Sequence, residues 1–116
     1  MAPINGVPIE LGPENGPLER YVLRFTQASF IAIEQQTGLA FLELRNRLAV
    51  GSFIAIRALL WGGLIHADPK LAIADVAPLI DTKRFEEIGT ALAKALAQAL
   101  GDDQESEAGK ELPASA

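Results

Sequence analysis

Between Phe53 and Ile65 the run FIAIRALLWGGLI carries a single charge, Arg57, and no other feature constrains the fold of this chain so strongly. Three settings suit so apolar a segment: a membrane span, the centre of a soluble core, or a docking surface for another protein. A spanning helix needs about 20 apolar residues. This run falls well short, with Arg57 near its middle and the pair Gly62-Gly63 close to its end, so a membrane is set aside. A helix that is apolar almost all the way round belongs at the middle of a molecule, because any face left in water exposes a large apolar patch. Core and docking surface both stay open on these residues. As a docking surface the segment offers Phe53, Arg57, Leu60, Trp61 and Leu64, with Arg57 as a polar anchor and Trp61 four residues on, on the same side.

The rest of the chain frames this segment. VPIEL at 7–11 and RYVLRF at 20–25 have β-favouring or alternating apolar residues, and GPENGP between them is dense in turn formers, which predicts a hairpin over about 7–25. Pro8 has no amide to give a ladder, so the first strand is an edge. Two strands alone are marginal in water, and the hairpin must lie against helices. Thr26 can cap a helix over 27–37, with Phe30, Ala32 and Ile33 turned inward and Gly38 as its left-handed stop. A second helix over 40–49 lines up Phe41, Leu44 and Leu48, and Gly51-Ser52 closes it and caps the central helix, 53–66. After Asp68-Pro69 a short helical segment at 73–79 contains Pro78. Asp81 or Thr82 can then cap a last helix striped by Phe85, Ile88, Leu92 and Leu96. The expected fold is mainly α: an N-terminal β-hairpin and four to five helices in one domain over 1–101.

After Gly101 the sequence turns acidic and small. Asp102, Asp103, Glu105, Glu107 and Glu111 against Lys110 account for −4 of the net charge of −5, and the apolar content is too low to offset ordering entropy, so 102–116 reads as a disordered acidic tail. The body is nearly neutral and offers no clustered Lys and Arg for a phosphate backbone, so nucleic acid is not an expected partner. There is no cysteine, hence no disulfide, thiolate ligand or thiol nucleophile. The start, MAPINGVPIEL, lacks the basic and apolar regions of a secretory signal, which points to the cytoplasm.

Candidate chemistry is sparse. His66 with Asp68 nearby suggests an acid–base or metal pair, but a histidine at a helix end more simply bonds free carbonyls there. Zinc spacing, a nucleophile elbow, a phosphate-binding glycine loop and a dinucleotide fingerprint are all missing from the sequence. No enzyme activity, metal or cofactor is expected. Gly62-Gly63 inside a helix costs about 1 kcal/mol per glycine, which close approach of the second or last helix, or of a partner's helix, would offset.

YVLRFTQASFIAIEQQTG, followed by IRALLWGGLIHADPKLAIADV, resembles the small tail assembly chaperones of long-tailed bacteriophages and gene transfer agents, over about 21–80. The likeness is carried by the strand leading into Phe25, Ile33-Glu34 with Thr37-Gly38, the run Arg57-Ala58-Leu59-Leu60-Trp61, and His66-Ala67-Asp68-Pro69. It implies a non-catalytic protein that binds the tape measure protein and keeps that long hydrophobic helical chain soluble while a tail is built. It also implies absence from the finished particle, and in some members a longer frameshifted form that contacts the tail tube protein. Self-association along the client is a further expectation. Ala72 departs from the family, where a Ser or Thr cap would open the helix at IADV. Two alternatives stand beside this reading: a structural tail or head-to-tail component retained in the particle, and a small helical DNA-binding regulator using Arg45 and Arg47.

Overall fold

The computed structural model describes residues 6–101, so the tail expected at 102–116 lies outside the described residues. Strands β1 (Val7–Leu11) and β2 (Glu19–Leu23) form an antiparallel pair in which Val7 faces Leu23 and Ile9 faces Tyr21. Alternation along β1 buries Val7, Ile9 and Leu11 against the helices and leaves Pro8 and Glu10 in water. Between the strands Gly16 N–H bonds Pro13 O (2.9 Å), with Asn15 left-handed at φ 63°.

Backbone groups on both edges of this small sheet find partners. The outward carbonyl of Val22 accepts from His66 Nε2 at 2.8 Å, and Arg24 N–H donates to Gly63 O at 2.9 Å. Pro8 sits opposite Val22 and so also faces outward, where its missing N–H leaves no ladder bond unmade. On the same edge Glu10 O accepts from the Arg84 guanidinium.

Helix α1 (Gln27–Thr37) opens on a reciprocal cap. Thr26 Oγ1 accepts from Ser29 N–H while Ser29 Oγ accepts from Thr26 N–H. Gly38, left-handed at φ 74°, ends it by donating to Glu34 O. Helix α2 (Phe41–Ala49) begins one residue later than expected. Ala40 has no side chain to cap it, and Glu34 Oε2 of α1 takes the Phe41 N–H instead (2.7 Å).

Helix α3 (Phe53–Leu64) is the central element foreseen from its composition. From Ala55 to Leu64 every residue but Arg57 is buried, and α1, α2, α4, β2 and the 3-10 segment all pack on it. It stops at Leu64, two residues short of the expected end. The glycine pair is resolved by internal packing, against different neighbours from those anticipated. Gly62 faces Ile33 of α1, and a side chain on Gly63 would meet Leu23 and Phe25 at 3.1–3.2 Å. The second and last helices are not the elements that approach there.

After α3 the segment Ile73–Leu79 is 3-10 rather than α, as suits a stretch holding Pro78. Asp75 Oδ2 accepts the Ala72 N–H (3.0 Å), so a side chain inside the segment reaches back to tie its start where Ala72 offers none. Asp81 does act as a cap, but of a single 3-10 turn, Thr82–Arg84, and α4 (Phe85–Leu100) starts only after it. Helix α4 buries Ile88, Leu92 and Leu96, as its stripe predicted, and Phe85 is half-buried. No helix among the described residues is long and apolar enough to cross a membrane.

Candidate functional site

The five residues first offered as a docking surface do not stay together. Leu60, Trp61 and Leu64 are enclosed in the chain's own core. Trp61 donates from Nε1 to Leu71 O at 2.9 Å, fastening the loop after α3. Arg57 is exposed and, among the described residues, takes part in no hydrogen bond or ion pair. Only Phe53 lies where a partner can reach a large apolar side chain, at 57% exposed. A docking role for the middle of α3 is therefore corrected to a role in the core: these side chains are what holds the other elements in place.

An accessible apolar surface lies elsewhere, in a groove of about 610 Å³ lined by the end of α2, Ile56 of α3 and the length of α4. Local sequence explains why it exists. Helix α2 ends in a Schellman motif, with Ser52 N–H to Arg47 O and Gly51 N–H to Leu48 O at 3.0 Å each, and Gly51 left-handed at φ 83°. Ser52 at once caps α3 through Ala55 N–H. So abrupt a reversal leaves no room to bury both flanking side chains. Val50 is 82% exposed, and Phe53 and Ile54 begin α3 half out in water. Phe53 leans on Phe85 of α4 with ring centroids 4.3 Å apart and planes tilted by 43°, a favourable aromatic pairing.

The α4 wall carries Gly89, Ala93 and Ala97, one residue on from the buried stripe of Ile88, Leu92 and Leu96, and ends at Leu100, 40% exposed. Ile56 of α3 and Leu48 of α2 also line the groove, and its charged lining residues are Arg45 and Glu86. A trough of this kind, with apolar lining and open along a helix length, suits an apolar helix stripe.

Polar groups elsewhere serve the fold. His66 donates to a β2 carbonyl, rather than to the carbonyls of its own helix end, and so ties α3 to the hairpin. Arg84 forms a forked pair with Glu87, Nε to Oε1 at 3.2 Å and NH2 to Oε2 at 2.7 Å, while its third nitrogen holds Glu10 O. That hydrogen bonding raises the Arg84 guanidinium above its ordinary range and holds the Glu87 carboxyl below its own. Arg47, considered for DNA contact, pairs with Glu43 at 2.8 Å. Among the described residues no three metal-ligating side chains converge.

Sequence reasoning missed Val50, Phe85, Ala93 and Leu100 as groove residues. Two signals pointed there: the adjacent apolar pair Phe53-Ile54 directly after a cap, and the second, small-residue stripe within the alanine-rich α4. Compared with known proteins, the chain matches no family model, no curated protein and no solved structure.

Proposed function

We propose that this chain is a tail assembly chaperone of the phage and gene-transfer-agent type, which binds a tape measure protein and keeps it soluble while a tail is assembled. The observation that carries the reading is the open apolar groove along α4, with Val50, Phe53 and Leu100 exposed around it. A chain of this size can close its own core, and this one does so around α3. The groove is apolar surface beyond what that core uses. An apolar helix stripe seated in it would be shielded at about 25 cal/mol per Å² of area removed from water. Several copies along a long client would add weak sites into a strong hold.

The sequence resemblance over residues 21–80 supplies the identity of the client, and the groove supplies a means of holding it. In this reading the protein acts by reversible burial of helix faces, with no bond made or broken. Coexpression with the tape measure protein of the same gene cluster tests it. A soluble complex that copurifies is expected, together with absence of the chain from purified particles by mass spectrometry. A client that stays insoluble, with nothing copurifying, contradicts the reading.

A further inference from the structure

Helix α3 is buried except at Phe53, Ile54 and Arg57. At 3.6 residues per turn these three fall on one side of the helix, and Val50 stands just ahead of them at the corner where α2 turns into α3. Val50, Phe53 and Ile54 are each more than half exposed, so the corner leads into water with three large apolar side chains. The charge around it is of one sign along the chain. From Leu44 to Ala67 there is no Asp or Glu, and Glu43, just before that stretch, is paired with Arg47. Arg57 is exposed and has no ion pair or hydrogen bond among the described residues. Most of the chain's net negative charge lies in 102–116.

We propose that the corner between α2 and α3 docks on an anionic phospholipid surface, with Val50, Phe53 and Ile54 entering the bilayer and Arg57 bonding lipid phosphates. The spacing carries the assignment. Apolar side chains of an interfacial helix sink about 5–10 Å into the boundary between headgroups and acyl chains. Arg57 lies one turn behind Phe53, about 6 Å along the helix axis, which sets its guanidinium at the phosphates while the apolar corner sits below them. Its long stem gives it the reach. A protein partner would have to supply both a socket for the corner and a carboxylate behind it, whereas a bilayer presents an apolar phase and an anion in that order of depth. The helix pair rests on the membrane without crossing it, since no helix among the described residues is long and apolar enough to span one. One apolar corner and one cation make a weak, reversible attachment. This inference does not rest on the chaperone reading. Where both hold, lipid and client share Val50, and each excludes the other.

Flotation of the full chain with vesicles of phosphatidylglycerol and phosphatidylcholine tests it. The chain is expected to float with the mixed vesicles and several-fold less with phosphatidylcholine alone. Val50→Ser should cut the bound fraction about tenfold, and Arg57→Gln about fivefold, as for one cation lost beside an anionic surface. Glu86 of α4 lines the groove together with Val50 and opposes the attachment, so Glu86→Gln should raise the bound fraction. Urea midpoints of the Val50 and Arg57 variants are expected to match wild type, because both side chains stand in water. A chain that fails to float at any lipid concentration overturns the inference, as does flotation that Val50→Ser and Arg57→Gln leave unchanged. Failure to float together with loss of client binding in Val50→Ser would assign the corner to a protein partner and overturn the inference equally.

Discussion

Within α3, neighbouring positions have opposite duties, and single substitutions separate them. A methyl group on Gly62 would overlap Cγ1 and Cδ1 of Ile33. Helix propensity favours Gly62→Ala by about 1 kcal/mol, but overpacking typically costs about 1–3 kcal/mol, and the overlap lies in a core where Ile33 is fully buried. Net destabilisation is expected in urea unfolding, relieved in part by Ile33→Val, which removes the Cδ1 atom. A stable Gly62→Ala variant would show that α1 is not held against α3 as described. Trp61→Phe removes the donor to Leu71 O and should cost about 1 kcal/mol. Arg57→Ala, on the exposed face, should stay within about 0.5 kcal/mol of wild type. Equal losses at positions 57 and 61 would contradict their placement on opposite sides of the core boundary.

Elements were legible where local chemistry decided them. The Thr26 and Ser52 caps lie where short-range side-chain bonding puts them, the Gly38 stop where a left-handed residue is needed, and the composition of 53–64 suits α3 to the centre. Boundaries shifted where a distant or unexpected group supplied the bond: Glu34 caps α2 across a turn, and Asp81 caps a 3-10 turn that delays α4. The groove was not legible, because it is formed by α2, α3 and α4 meeting, and no local pattern reports which stripe of α4 is left without a neighbour. Local ion pairing at the start of α4 is open to a pH test. Arg84 lowers the Glu87 carboxyl below its ordinary value of 4.5, first by hydrogen bonding and then by charge. A folded value below the unfolded one means that the pair's contribution is fully present above about pH 4.5 and is lost as pH falls through the folded value. Glu87 is solvent-exposed, so the contribution is small. Melting temperatures measured from pH 7 to pH 3 should fall less steeply for Glu87→Gln than for wild type. Matching slopes would contradict the pairing.

For the whole molecule, a closed core and an open groove coexist because one helix does two jobs on two stripes. Ile88, Leu92 and Leu96 of α4 complete the core around α3, and Gly89, Ala93 and Ala97 beside them face outward. Substitutions in the first stripe should unfold the chain, with Leu92→Ala costing about 2–5 kcal/mol. Changes in the second stripe should leave folding intact and alter only what binds. The central claim is that this groove, and not the middle of α3, holds a client chain. Photocrosslinking during coexpression with the tape measure protein tests it most directly, with the crosslinking amino acid in place of Val50 beside the groove or of Lys70 in the exposed turn after α3. The account predicts crosslinks to the client from position 50 and none from position 70. A client kept soluble without crosslinks from position 50, or crosslinked equally from position 70, would contradict it.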